Sequence, residues 1–240
     1  MDYAEEAIEL TRPLITEKIV THPLIGRMLG SVAQPLTRSN YAAFLIEIVQ
    51  LIKHTPHYLT LASSWSVDDR WMCDWWMDFA VDERGHDQLC FADLRRLGVP
   101  QSEVTAAMPG IGVTAMVALN YRLAQTDPVA LIGFAMATEG MGSGLATRAA
   151  KHIDDNCAFG APVTTFLRVH GAEDVEHYQS VMKAFNQYAQ QSANLARMLH
   201  TWKYTIHNYS QLFSDVLARG DDWLEPENER ISEMTLTAGQ

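Results

Sequence analysis

The sequence predicts an all-α fold, a bundle of about seven or eight helices. Apolar residues recur every three or four positions through most of the chain, and glycine and proline separate these stretches. Segments in which Val, Ile and Thr alternate with polar residues, typical of half-buried strands, are absent. The predicted helices cover residues 4–19, a short stretch after His22 and Pro23, 40–63, 68–96, 102–125, 128–153, 163–190 and 193–218.

Local signals set the ends and bends of these helices. Pro13 predicts a kink or break in the first, because proline cannot donate an interior helical hydrogen bond. Residues 37–40 (Thr-Arg-Ser-Asn) supply N-cap side chains for the third, which we expect to bend near Pro56. Gly98 and Pro100 end the fourth.

The domain organisation predicted from length is simple. A chain of 240 residues is long enough to bury a substantial core, and we expect one domain over residues 1–219. Gly220, Asp221 and Asp222 introduce a polar C-terminal tail over 220–240, either disordered or lying on the bundle.

Composition excludes several functional classes. A net charge of −11 argues against nucleic-acid binding, which needs Lys and Arg for phosphate contacts. We expect no membrane association, since no apolar run approaches the roughly 20 residues of a spanning helix. The acidic N-terminus lacks the pattern of a signal peptide, and the three cysteines (Cys73, Cys90, Cys157) show no paired spacing. These features predict a cytoplasmic protein.

Carboxylate and imidazole side chains occur at helical spacing in two segments. Glu83 and His86 are three positions apart, while His170, Asp174 and His177 follow one another at four and three positions. At about 3.6 residues per turn, each set lies on one side of a helix. Both segments therefore present metal-ligand side chains on a single face.

Two further glutamates occupy apolar helical stripes. Glu47 lies between Phe44 and Leu51, and Glu139 lies beyond Ala135 and Met136. A carboxylate on such a stripe is costly unless something pairs with it, either a buried Arg or Lys or a metal ion. Four helices that each supply oxygen or nitrogen ligands predict a carboxylate-bridged two-metal site. Oxygen-rich ligation with a few imidazoles suits iron or manganese.

Some assignments have competitors. Asp82 is four positions from His86 and is an alternative to Glu83, which we favour because its spacing matches that of Asp174 and His177. Glu173 is likewise an alternative to Asp174, because it is four positions from His177.

Four residues are candidates for a substrate pocket, against a simple packing role for each: Lys53, His54, Trp76 and Met136. Lys53 offers a positive charge to an acidic substrate group, and His54 lies two helical turns after Glu47. Trp76 and Met136 precede Glu83 and Glu139 on the expected inward faces.

Over roughly residues 20–215, the chain resembles the haem-oxygenase-like di-iron oxidases and oxygenases. The resemblance lies in the segments around Glu47, 54–59, 82–87, 94–98 and 139, and in the His170 segment. It implies an up-and-down helical bundle, often a homodimer, which reduces dioxygen at two ferrous ions with electrons from an external donor. The implied iron ligands are Glu47, Glu83, His86, Glu139, His170, Asp174 and His177.

The reaction implied by the resemblance is oxidation of a small organic metabolite in a specialised biosynthetic pathway. N-oxygenation of an amine or related nitrogen compound is our first hypothesis, and aliphatic desaturation or oxidative C–C cleavage of an amino or fatty acid is the alternative. Some N-oxygenases carry an extra carboxylate upstream of the ExxH motif, where this chain has Trp76, Phe79 and Ala80. A ferritin-like iron protein and a metal-free thiaminase-like or ligand-binding scaffold remain as other classes.

Overall fold

The computed structural model describes residues 2–224, except for the side chains of residues 173–175, and that part of the chain is helical without strands. Its helices are α1 (Tyr3–Ile15), α2 (Pro23–Leu29), α3 (Arg38–Ile52), α4 (Thr55–Ser64), α5 (Arg70–Asp82), α6 (His86–Arg96), α7 (Gln101–Ala106), α8 (Ile111–Thr126), α9 (Pro128–Met141), α10 (Thr147–Asn156), α11 (Thr165–Tyr188) and α12 (Ser192–Ala218). A π-helical segment, Thr16–Val20, continues α1, and another, Gly142–Ala146, joins α9 to α10. The predicted all-α bundle is confirmed.

Three of the predicted helices are each divided in two. The break near Pro56 places that proline in the first turn of α4, where its missing N–H costs nothing. Pro109 and Gly110 separate α7 from α8, a signal that the sequence offered and the prediction overlooked. Gly85 separates α5 from α6. Conversely, α1 runs through Pro13 without ending there.

Helix α9 lies at the centre of the bundle and packs against α8, α11 and α12. Gly133 makes the closest approach, since a Cβ at this position would lie 2.0 Å from the backbone oxygen of Met198 on α12. Nine residues of α9 are buried, Glu139 among them. The helix thus carries one acidic side chain into the interior.

The continuous stretch Pro128–Asn156 is long and apolar enough to cross a membrane by length and composition. Burial inside the protein covers 56% of its most apolar window, and Glu139 faces the interior. This is the environment of a core helix.

The first residues of the predicted C-terminal tail contact the bundle. Arg27 Nη1 donates to Asp221 Oδ1 at 2.7 Å, and Trp223 Nε1 donates to the carbonyl oxygen of Ser39 at 2.9 Å. These contacts hold residues 221–223 against α2 and the start of α3. Residues 225–240 lie outside the described part of the chain.

Candidate metal centre

Five of the seven predicted ligands converge on one buried cluster. Their ligand atoms form two groups, Glu83 with His86 and His170, and Glu83 with Glu139 and His177. Within each group these atoms lie within 4.8 Å of one another. The side chains come from α6, α9, α11 and the turn after α5, so Glu83 joins two adjacent sets of three ligands.

A glycine turn positions Glu83 and His86, which do not lie on one continuous helix as predicted. Helix α5 ends at Asp82, and Gly85 adopts a left-handed conformation (φ +95°) immediately before α6. Only glycine adopts such a φ at little cost. Even so, the turn brings His86 Nδ1 to 3.4 Å from Glu83 Oε2.

His170 is held in a defined orientation near the start of α11. Its Nδ1 lies 3.1 Å from the carbonyl oxygen of Phe166, to which it can donate, leaving Nε2 to bind a metal. Asp93 accepts the backbone N–H of Phe166 at 2.9 Å and fixes the first turn of that helix. Burial lowers the pKa of His170 to about 4, so the imidazole is neutral at neutral pH, the form that binds metals.

Glu139 and His177 form the other side of the cluster. His177 Nδ1 is buried, lies 3.7 Å from Glu139 Oε2 and makes no hydrogen bond to a described residue. Burial raises the pKa of Glu139, the charge of Glu83 adds to the rise, and His177 opposes it. The proximity of Glu139 in turn raises the pKa of His177, against the effect of burial.

The charges of the cluster suit a bound cation. Glu83 and Glu139 are each only 7% exposed, and no described Lys or Arg lies within ion-pair distance of either. Two buried carboxylates repel each other, and the neutral imidazole of His170 does not compensate their charge. Carboxylates and imidazoles are the ligands that iron accepts, so the residues present fit the predicted metal.

Glu47 lies elsewhere, which corrects its prediction as a ligand. Its Oε1 accepts a hydrogen bond from Arg219 Nη2 at 3.0 Å, and its Oε2 accepts one from the backbone N–H of Gly110 at 2.9 Å. The side chain is 1% exposed. The charge of this carboxylate is thus balanced by an arginine, one of the two partners that the apolar stripe left open.

Two predicted ligands had an alternative in the sequence, Asp82 for Glu83 and Glu173 for Asp174. Asp82 has a side chain that is 55% exposed and lies 3.9 Å from His177 Nε2, at the edge of the buried cluster. Asp174 belongs to α11, but its side chain and that of Glu173 lie outside the described residues. Asp174 therefore stays a prediction.

Two apolar cavities adjoin the cluster. The larger, of about 140 Å³, reaches Glu139 and His170, and the smaller, of about 40 Å³, reaches Glu83 and Glu139. Thr138 and Tyr209 line both. Neither residue was predicted to line a pocket. The one sequence feature that pointed to this role was the position of Thr138 next to Glu139.

The four predicted pocket residues do not line either cavity. Lys53 is exposed, and His54 Nδ1 lies 3.2 Å from the hydroxyl of Tyr121. Trp76 and Met136 are fully buried core residues. Apolar side chains near a ligand in sequence pack into the core as readily as they line a pocket. This part of the site prediction is corrected.

Comparison with solved structures identifies the fold. A domain of unknown function with a haem-oxygenase-like fold from Shewanella denitrificans superposes with a TM-score of 0.79 at 16% identity, covering 91% of this chain and 96% of that one. A TenA homologue from Pseudomonas syringae superposes with a TM-score of 0.75 at 13% identity, covering 90% and 93%. For a CADD-like protein of unknown function from Nostoc punctiforme the values are 0.68, 15%, 91% and 99%.

Sequence comparison identifies the family. No curated protein matches the chain. The profile of a family described as iron-containing redox enzymes matches residues 42–207, which include Glu83, His86, Glu139, His170 and His177. The chain thus has the haem-oxygenase-like fold and belongs to the family of iron-containing redox enzymes.

Proposed function

We propose that this protein is a non-haem di-iron enzyme that uses dioxygen to oxidise a small organic molecule. The observation that carries the proposal is the pair of ligand groups sharing Glu83, buried in the bundle without a Lys or Arg among the described residues to balance its carboxylates. One iron would be held by Glu83, His86 and His170, and the other by Glu83, Glu139 and His177. The sequence predicts that Asp174 adds a ligand.

Bound ferrous ions would supply the electrons with which dioxygen reacts. The protein side chains prepare the site for this. Glu83 and Glu139 would provide negative charge to hold the two dications, and the Phe166 carbonyl orients the ring of His170. The largely apolar walls of the two cavities disfavour water beside the cluster.

N-oxygenation and desaturation, two of the predicted reactions, each balance with an external two-electron donor. In N-oxygenation, one atom of dioxygen is bonded to the substrate nitrogen. The other is reduced to water by two electrons from the donor and two protons. In desaturation, the substrate loses two electrons and two protons, the donor supplies two electrons, and two more protons complete the reduction of dioxygen to two waters. The homodimer and the need for an external electron donor stay predictions.

The other functional classes receive less support. The haem-oxygenase-like fold differs from that of a ferritin-like protein, whose four-helix pattern also lacks a counterpart of His170. A thiaminase-like hydrolase would need a reactive cysteine facing the cavity. None of the three cysteines lines a cavity at the cluster, and burial raises the pKa of Cys90 and Cys157.

The test is anaerobic loading with Fe(II), a count of iron per chain, and then oxygen consumption with candidate substrates. We expect about two irons in the native protein and a loss of iron in Glu139→Ala and His177→Ala. The matched control is His54→Ala, a histidine outside the cluster, which should keep its iron. Native iron content in both cluster variants would overturn the proposal.

A further inference from the structure

We infer that the larger cavity binds an unbranched alkyl chain of the substrate and presents its methylene groups to the cluster beside Glu139 and His170. This inference rests on the proposed function for the chemistry that follows binding. The alkyl-binding property itself follows from the cavity and is testable separately.

The cavity has an almost wholly apolar wall. Helix α2 contributes Ile25 and Met28, α3 contributes Phe44 and Ile48, and the π-helical segment contributes Leu145. No Lys, Arg, Asp, Asn or Gln is found among the described residues that line it. Methylene groups entering this space gain about 25 cal/mol for each Å² of apolar surface removed from water.

The polar groups of the wall are largely committed to other partners. Glu139 and His170 belong to the cluster. The Thr138 hydroxyl donates to the backbone of its own helix, 3.1 Å from the Ala135 oxygen, and lies 3.3 Å from Glu139 Oε1. Tyr209 is the other polar residue of the wall. An ammonium or amidinium group here would lose its hydration without a carboxylate of its own, which disfavours a small cationic amine.

The size of the cavity bounds what it accepts. An engineered apolar cavity of roughly 150 Å³ stays dry and binds benzene. The 140 Å³ found here is therefore room for an apolar group of about six carbon atoms. A longer chain would extend beyond the cavity, so we expect selectivity to act on the first six or so carbons.

The π-helical segment gives this wall its position next to the ligands. It begins three residues after Glu139, and Gly142, Leu145 and Ala146 on it and Ala149 on α10 all face the cavity. Widened turns of this kind interrupt the regular side-chain rotation of a helix and are frequent at functional sites. The same helix thus supplies both a ligand and the adjoining apolar wall.

Calorimetric titration of the Fe(II)-loaded protein without oxygen tests the inference. The ligands are straight-chain carboxylates of four to ten carbons and the primary amines of matching length. We expect the dissociation constant to fall up to about fourfold for each added methylene, to level off beyond about six carbons, and to depend little on the head group. Tight binding of the shortest amines, or no dependence on chain length, would overturn the inference.

A matched pair of substitutions locates the binding site. Leu145→Phe fills the cavity and should weaken binding of octanoate by about tenfold or more, whereas Leu195→Phe, at a half-buried leucine of α12 outside the cavity, should leave it within about twofold. Thermal melting checks that both variants fold, and Ala149→Val gives a milder second obstruction. Equal binding by the cavity variants and the control would contradict the assignment.

Repeating the titration after iron is removed with a chelator separates this inference from the proposed function. If the iron-free protein binds alkyl ligands with the expected dependence on chain length and anaerobic loading adds no iron, the cavity inference stands and the di-iron enzyme is refuted. Two irons with no binding of alkyl ligands would do the reverse.

Discussion

Glu47 on α3 and Glu139 on α9 look alike in the sequence, since each is a single acidic residue within an apolar helix. Their surroundings in the folded chain differ. Arg219 and the Gly110 N–H satisfy the carboxylate of Glu47, whereas Glu139 faces Glu83 and His177 and has no arginine or lysine partner among the described residues. A buried carboxylate alone therefore does not indicate a metal ligand; the charge of its neighbours decides its role.

The largest expected effect concerns iron content and separates the two glutamates. Glu83→Gln removes the carboxylate common to both ligand groups and should abolish binding of about two irons, while His86→Ala, which alters one group, should leave about one. Glu47→Gln should retain both. Iron is counted after anaerobic loading and desalting. Loss of iron in Glu47→Gln would restore it to the metal site and remove the contrast.

The next effect concerns stability without metal, where the contrast should reverse. Glu47→Ala leaves the Gly110 N–H and the partly exposed Arg219 without their acceptor, and we expect the free energy of unfolding to fall by about 2 kcal/mol. Glu139→Gln relieves repulsion with Glu83 and should change it by less than about 1 kcal/mol. Urea unfolding of the chelated protein measures both. A larger loss in Glu139→Gln would show that its carboxylate has a stabilising protein partner.

The smallest effect is the pH dependence of Glu47. Burial raises its pKa above the ordinary 4.5, and Asp215 adds to the rise, while Gly110 and Arg219 oppose it. Because the protonated form is favoured in the folded chain, this carboxyl supports folding below pH 4.5, and that contribution is lost as the pH rises through its folded pKa.

The stability of the native protein relative to Glu47→Gln should therefore decrease from pH 4 towards neutrality. Urea midpoints of the two proteins across this range give the difference. An increase over the same range would show that the ion pair with Arg219 outweighs burial.

Much of the fold followed from local patterns. Apolar spacing and Gly or Pro signals placed most of the helices, while the breaks at Gly85 and before Gly110 divided stretches that apolar spacing alone made continuous. The His170 and His177 spacing put two imidazoles on one face of α11, as an intrahelical pattern must. Thr138, Tyr209 and the α2 wall of the cavity had no such pattern, since cavities form between elements distant in sequence.

By itself, the sequence determined a helical chain in which carboxylates and imidazoles recur at helical spacing, because one turn of a helix fixes which neighbours share a face. Tertiary structure alone decided which of these side chains meet. It paired Glu47 with Arg219, 172 positions away, and placed Glu83 beside Glu139 and His177, which come from other helices. Such long-range pairings depend on how whole helices pack and on which charges remain to be compensated inside, and neither property is recorded in local spacing.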